Sequence, residues 1–527
     1  MLAAVRSAAI TGIDAYGVTV EVDAALGLPA WTIVGLAASA VKESRERVTS
    51  AILNAGFALP PRRVTVNLAP ADVRKDGTAF DLPIALALLV ATGQLPADAV
   101  EGMVVVGELG LDGTVRPVRG SLSIARLGAQ CLAAHSEGRD QGARSGATAP
   151  PLLILPPENV AEASLVTAAR LGTAPTLAAL VTVLRSRDVH EARIARKGRP
   201  ATAADAADFA DVVGQPAAKR ALEVAAAGGH NVLLIGPPGA GKTMLARRMP
   251  SILPLLTEEE ALEVIAIRSV AGLLDGGGAL PPPRPFRSPH HTISGAGLIG
   301  GGSVPRPGEV SLAHCGVLFL DELLELPRSV LDAIRQPLEE GRVVIARALG
   351  SVTYPARFTL VAATNPCPCG RSGDATGVCR CASTDVLRYR ARLSGPLADR
   401  IDMHLTVGAV AVRALGGRGE AECSAHIRSR VELARVRQRE RYRSMPRVTC
   451  NAQVPGRWLD VSTPVDARAR ELLATAAERL GMSARGYHRM LRVARTIADL
   501  GARESIGTDD IAEALRYRPA VPDTRAE

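Results

Sequence analysis

The middle of the chain carries three short apolar runs, Asn231 to Ile235, Val317 to Leu320 and Phe358 to Ala363, each followed by glycine or polar residues. They are continuous rather than alternating, as in strands covered on both faces, and they predict a buried parallel sheet. After residue 420 the pattern changes. Apolar residues recur at three- and four-residue spacing through Ala425 to Tyr442, Pro464 to Leu480, Ala484 to Leu500 and Asp509 to Tyr517, which predicts helices, with Thr508 as N-cap of the last. Near the N-terminus the longest apolar run is Leu82 to Thr92. It contains Pro83 and is far short of the roughly 20 residues a membrane-spanning helix needs, so it is expected to be a buried core helix. The fold class that follows is multidomain α/β ending in a helical domain.

At 527 residues the chain exceeds what one hydrophobic core supports. Composition breaks divide it. Ser136 to Pro151 is rich in Gly, Ala, Arg and Ser without apolar periodicity and reads as a flexible insertion inside a first domain spanning 1–185. A charged, Ala-rich linker follows over 186–208, then an α/β domain over 209–407, a further break near 407–419 and the helical domain over 420–520. The composition, 47% hydrophobic and 22% charged, is that of globular domains. The net charge of +9 fits a polyanionic partner such as nucleic acid, although it is spread over a long chain. Met1 to Ile13 shows no secretory pattern, so a cytoplasmic location without membrane attachment is expected. In a reducing compartment the eight cysteines, four of them between Cys367 and Cys381, argue against a disulfide framework.

The first apolar run leads into Gly236-Pro237-Pro238-Gly239-Ala240-Gly241-Lys242-Thr243, after which Met244 to Met249 reads as helix. Strand, loop and helix in that order make a phosphate loop. The glycines let backbone N–H groups wrap phosphates at a helix N-terminus, Lys242 faces the β- and γ-phosphates, and Thr243 offers its hydroxyl to Mg²⁺. The second run ends in Asp321-Glu322, where Asp321 is placed to hold the Mg²⁺ and Glu322 to polarise the attacking water. The third delivers Thr364-Asn365, whose Asn365 amide can orient that water. A chance glycine-rich turn, a surface acidic pair and a strand-end asparagine are the plainer readings of each motif alone. Their succession favours the joint one.

These strand endings resemble those of the AAA+ ATPases, and their surroundings resemble the magnesium-chelatase-like branch, specifically the YifB/ComM family. The likeness runs over nearly the whole chain. It is carried by Asp211-Val212-Val213-Gly214-Gln215, Phe286-Arg287-Ser288-Pro289-His290-His291, Gly316 to Glu322, Asn365-Pro366-Cys367-Pro368-Cys369-Gly370, Leu393 to Asp402 and Ala494 to Leu500. The resemblance implies ATP and Mg²⁺ as cofactors, with Val213 joining Gly236 to Thr243 around the nucleotide. It also implies a homo-oligomeric ring, a hexamer, in which Arg400 is the arginine finger acting on the neighbouring subunit's ATP, and it makes Arg485 the sensor-2 arginine. Arg489 and Arg492 compete for that role or are solvated helix charges.

The family implies a DNA motor with helicase and branch-migration activity on single-stranded or branched DNA in natural transformation. The alternative is a chelatase-type motor subunit that remodels a protein partner for Mg²⁺ insertion into a porphyrin. Residues 1–185 resemble the Lon-protease-like domain of ribosomal-S5 type through Lys75 to Pro83 and Gly107 to Val115. Ala79 stands where the nucleophilic serine belongs and Leu122 about where its lysine does, so no dyad is recognisable, and Thr78 and Lys75 are poor substitutes. A structural or substrate-guiding role is expected.

The long stretch between Lys242 and Asp321, with Pro281 to Pro285 and Gly295 to Gly302, must loop out. In the resembled branch this insertion and a hairpin at Glu340 to Ala356 point into the ring channel. Val343-Val344-Ile345 and Ser351-Val352-Thr353 suit two strands about Ala348-Leu349-Gly350, with Arg342 and Arg347 either meeting phosphates or solvated. Aromatics are too few here for base stacking. Cys367, Cys369, Cys379 and Cys381 form two tight pairs that either hold one Zn²⁺ or remain free thiols beside the sensor loop. His290 and His291, being consecutive, are expected to point apart and to be hydrogen-bonded structurally.

Overall fold

The computed structural model describes residues 1–137, 150–187, 191–192, 207–274, 282–302, 305–347, 350–372, 378–393, 395–409, 422–445, 448–456, 458–459 and 463–518. Most of the insertion at 136–151, most of the 186–208 linker, the break at 410–419 and the side chain of Arg347 lie outside the described residues. No helix among those described is long and apolar enough to cross a membrane.

The N-terminal region is a seven-stranded mixed sheet in the spatial order Ala30–Val34, Arg63–Ala69, Asp14–Ala25, Leu2–Thr11, Met103–Val105, Leu152–Leu155, Arg170–Thr173. Against it packs the helix Asp81–Ala91, in which every residue is buried. Pro83 falls in its first turn, where the missing N–H has no carbonyl to meet. The buried Asp81 is held bidentately by Arg47, at 2.6 and 3.0 Å.

The central sheet has five parallel strands in the order Phe286–Arg287, Val317–Leu320, Thr359–Thr364, Val232–Ile235, Met403–Thr406. Val317–Leu320 and Thr359–Thr364 are buried at every residue, which is why their sequences do not alternate. Because all strands run the same way, the polar residues that follow three of them collect at one edge.

The lid helices are Ser424–Arg441, Ala467–Arg479, Ala484–Leu500 and Thr508–Arg516. The last differs from expectation at its start. Gly507 caps it, its N–H donating to Asp510 Oδ2 at 2.9 Å, and Thr508 is its first residue. A largely buried network ties these helices, a C-terminal lid, to the sheet. Asp499 accepts from Arg441 at 2.5 and 2.9 Å, from Arg495 Nε at 3.1 Å and from Asn451 at 2.9 Å. Asn451 also donates to Thr496 at 3.0 Å, and Thr496 meets His230 Nε2, next to the phosphate-loop strand, at 2.8 Å.

His404 sits on the edge strand Met403–Thr406, buried, and its Nε2 has no hydrogen-bond partner among the described residues. Burial, then the Arg489 guanidinium, push its pKa down to about 4 against the pull of Asp402. In the unfolded chain the imidazole takes its proton near 6.5. Between those values the unfolded state binds more protons, so this group's contribution to stability is intact near neutral pH and is lost as pH falls towards 4, by up to roughly 3 kcal/mol. Unfolding melts of His404→Gln and the parent across that window should show a shallower acid loss for the variant. Parallel curves would show that His404 is not held neutral.

Candidate functional site

Lys242 opens the helix Lys242–Ile252 directly after the loop. Its buried ammonium donates to the carbonyls of Gly236 at 2.5 Å and Pro237 at 3.0 Å, and to Asn365 Oδ1 at 3.2 Å. Burial lowers its pKa, while Asp321 and Glu322 oppose the shift. The loop passes close under the last strand: a Cβ on Gly236 would lie 2.2 Å from the Val407 carbonyl, so only glycine fits there. Gly239 and Gly241 adopt φ of +78° and +84°, and the space beside each is open, as a cradle for phosphate oxygens requires.

Thr243 Oγ1 donates to Asp321 Oδ2 at 2.8 Å. Two oxygens bound side by side to an octahedral Mg²⁺ at 2.0–2.1 Å stand about 2.9 Å apart, so this pair fits the ion's donor set. Asp321 Oδ1 accepts the Glu322 N–H at 3.0 Å, and Glu322 itself is left-handed at φ +49°. That conformation is costly for a residue with a side chain, and it turns the carboxylate out of the strand direction. The segment bearing Val213 runs beside the loop: Gln215 Nε2 reaches the Gly408 carbonyl at 2.6 Å and the Ala240 carbonyl at 3.4 Å.

Sequence reasoning expected only a structural role for His291 and missed its link to Glu322. Its Nδ1 lies 3.2 Å from Glu322 Oε2. The expectation that the two histidines point apart is wrong, because their rings lie 4.1 Å apart at the centroids. His290 instead turns back to Thr292 Oγ1 at 2.9 Å, which brings both rings to one side of the turn. The Pro-His-His turn was a visible signal, but nothing in the sequence tied it to Glu322.

Among the described residues, neither Arg400 nor Arg485 is hydrogen-bonded to the phosphate loop. Both line a cleft of about 1610 Å³ to which no residue of the phosphate loop contributes. Arg400 donates to the Pro396 carbonyl and the Glu339 carboxylate, while Arg485 is exposed. Arg489 and Arg492 are not solvated helix charges. Arg489 is buried and donates to the carbonyls of Ala398 and Ile401, each at 2.9 Å, bracketing Arg400. Arg492 donates to the Val454 carbonyl at 2.9 Å. Both guanidiniums thus supply donors to loop carbonyls beside the sheet.

The other expected residues fall as follows. The hairpin pairs Arg342–Arg347 with Gly350–Pro355, longer than anticipated, and Arg342 Nε meets Glu340 at 3.1 Å. Tyr354 from this hairpin donates to the Pro305 carbonyl at 2.8 Å, so hairpin and insertion pack together. Cys367, Cys369, Cys379 and Cys381 come together, with all four sulfurs within 4.8 Å of one another. In the N-terminal domain Thr78 donates to Glu108 and the buried Lys75 to the Pro70 carbonyl. Ala79 is half-buried, and Leu122 packs with Leu165, Ile265 and Ala266.

Three family models match the chain: magnesium chelatase subunit ChlI over residues 208–415, subunit ChlI of Mg-chelatase over 20–134, and the ChlI C-terminal model over 421–518. The chain is 42% identical over 523 residues to the uncharacterized protein YifB of Salmonella typhimurium, covering 98% of this chain and 97% of that one. It is 41% identical over 531 residues to the competence protein ComM of Haemophilus influenzae, covering 99% and 98%. A partial likeness, 31% over 190 residues, covers 30% of this chain and 33% of Lon protease 2 of Bacillus subtilis.

Lys242→Ala, which removes the buried ammonium beside the glycine-rich loop, is expected to abolish nucleotide binding. Glu322→Gln should bind ATP normally yet turn it over about 100-fold more slowly or worse, as loss of a catalytic base does. Fluorescent-nucleotide titration beside a phosphate-release assay separates the two, and normal turnover by Glu322→Gln would remove that residue from the chemistry.

Proposed function

The chain belongs to the YifB/ComM family of magnesium-chelatase-like proteins, and from that premise we propose that it is an ATP-hydrolysing AAA+ ring motor acting on DNA. The observation that carries the proposal is the division of the charged groups between two places. Lys242, Thr243, Asp321 and Asn365 converge by hydrogen bonds at one edge of the parallel sheet. Arg400 and Arg485 share a separate cleft. A single subunit therefore holds the phosphate-binding half of a site and offers the arginine half to a neighbour, which favours a closed homo-oligomer, a hexamer in this proposal.

In this reading ATP and Mg²⁺ are the cofactors. Gly236, Pro237, Pro238, Gly239, Ala240, Gly241 and Val213 surround the nucleotide, Thr243 and Asp321 would hold the ion, and bound Mg²⁺ would neutralise charge on the phosphates. Lys242 orients the phosphates, Glu322 takes the proton of the attacking water, and Asn365 positions that water. Arg400 meets charge from across the interface and Arg485 closes over it. The domain division at 1–185, 209–407 and 420–520 belongs to the same reading. The N-terminal domain, Lon-like by resemblance, is non-proteolytic here: Thr78 faces a carboxylate rather than an amine, and Lys75 is spent on a backbone carbonyl.

The DNA substrate rests on the name of the Haemophilus relative, a competence protein, and on the joined hairpin and insertion, which would face the ring channel with Arg342 and Arg347. Helicase and branch-migration work is the specific form proposed, in the cytoplasm. Single-stranded or branched DNA should stimulate ATP turnover, and a four-way junction should be moved only when ATP is hydrolysed. Binding should weaken as salt rises, because each neutralised phosphate releases counterions. Substituting Arg342 and Arg347 together should reduce the salt slope and uncouple turnover from DNA while leaving basal turnover in place. An active oligomer that is indifferent to every DNA form but stimulated by a protein partner would favour the chelatase-type reading instead. Arg400→Ala, inactive alone, should regain partial turnover when mixed with Lys242→Ala subunits; rings shown to mix without recovery would refute action in trans.

A further inference from the structure

We propose that Cys367, Cys369, Cys379 and Cys381 bind one structural Zn²⁺ as a four-thiolate site, fastening the segment after Asn365 against the phosphate loop. The sulfur atoms of Cys367, Cys369 and Cys379 stand 3.4, 3.7 and 3.6 Å from one another, and that of Cys381 lies within 4.8 Å of all three. The triangle of Cys367, Cys369 and Cys379 sulfurs, with sides of 3.4–3.7 Å, matches one face of a tetrahedron whose centre lies roughly 2.1–2.3 Å from each corner, against about 2.3 Å for a zinc–thiolate bond. Disulfide bonding requires sulfurs at about 2.05 Å, so these are not bonded pairs. An iron–sulfur cluster needs inorganic sulfide between its metals and holds its cysteine sulfurs farther apart than this set; a single soft ion suits it.

An amide group is already turned to one of the sulfurs. The Ser372 N–H donates to Cys367 Sγ at 3.3 Å. A donor of this kind stabilises charge on the Cys367 thiolate, as the outer shell of a zinc site does. Buried Cys367 anchors the set to the fold, while exposed Cys369 and half-buried Cys379 and Cys381 leave a path for the ion.

Placement gives the site its consequence. Asn365, bonded to Lys242, lies two residues before Cys367. Between the first two cysteines and the phosphate loop the backbone turns tightly: the Gly370 N–H donates to the Cys367 carbonyl at 2.9 Å, and Gly370 sits at φ +77° so close to Pro238 that a Cβ there would lie 2.7 Å from its Cδ. An ion joining this turn to Cys379 and Cys381 closes a loop beside the nucleotide site. On binding, the four thiol protons leave to solvent, so affinity rises with pH.

The test is metal analysis of the full chain purified without chelator, with Cys369→Ser, Cys379→Ser and, as a control outside the cluster, Cys423→Ser. Expected are one zinc per chain in the parent and the control and a loss of at least half in either cluster variant. The parent should release one zinc when its thiols are blocked, and cobalt in place of zinc should give the visible bands of tetrahedral thiolate coordination. These parent measurements do not depend on whether the variants fold. Metal-free parent protein that takes up neither zinc nor cobalt would overturn the proposal. So would an iron chromophore, or full zinc in both cluster variants.

Discussion

A buried ammonium must find oxygen, and the site is arranged around that demand at Lys242. Two of its acceptors, the carbonyls of Gly236 and Pro237, belong to the loop that precedes it, and the third, Asn365, belongs to the strand alongside. Bonds of this kind, with a charged donor in a low-dielectric site, are stronger than neutral ones. They can form only if Val232–Ile235 and Thr359–Thr364 lie in parallel register, Ile235 beside Thr364, so that both strands end at the same level. Burial keeps those strands largely apolar, and the close approach of the Val407 carbonyl keeps residue 236 glycine.

The lid is part of the same constraint. Asp499 accepts bonds from two arginines and an asparagine, and the chain of contacts continues through Thr496 to His230, beside the first strand of the site. A buried carboxylate needs all of these donors, since removing one partner of a buried pair typically costs about 3–5 kcal/mol. Arg489 adds a second tie, from the lid helix Ala484–Leu500 to the carbonyls that flank Arg400. The helix Ala484–Leu500 and the segment bearing Arg400 are therefore held together.

The N-terminal domain touches the parts of the motor that the DNA reading places at the channel. Leu122, at the position a catalytic lysine would occupy in the resembled protease domain, is buried against Ile265 and Ala266 of the helix Glu258–Ala271. Gly120 N–H donates to Ser269 Oγ on that helix at 2.9 Å. The turn at Gly12 approaches the hairpin so closely that a Cβ would lie 2.8 Å from the Thr353 carbonyl. Leu122 serves docking, and the N-terminal domain contacts both inserted elements directly.

The sequence alone determined three of the five central strands and the C-terminal helices to within a few residues, because burial on both faces and helical periodicity each leave a local signature, while the edge strands Phe286–Arg287 and Met403–Thr406 left none. It also determined the residues of the phosphate loop and those ending the next two sheet strands, since each motif is contiguous. What it could not determine was which charges meet across the fold. His291 beside Glu322, Arg489 beside the carbonyls around Arg400, and Arg485 sharing a cleft with Arg400 all join segments far apart in the chain. The four cysteines are legible as a cluster, but their common centre exists only once the turn at Gly370 has been folded against Pro238. Local patterns fix elements; partners for a buried charge are chosen by whatever packing brings within hydrogen-bond reach, and that is decided in three dimensions.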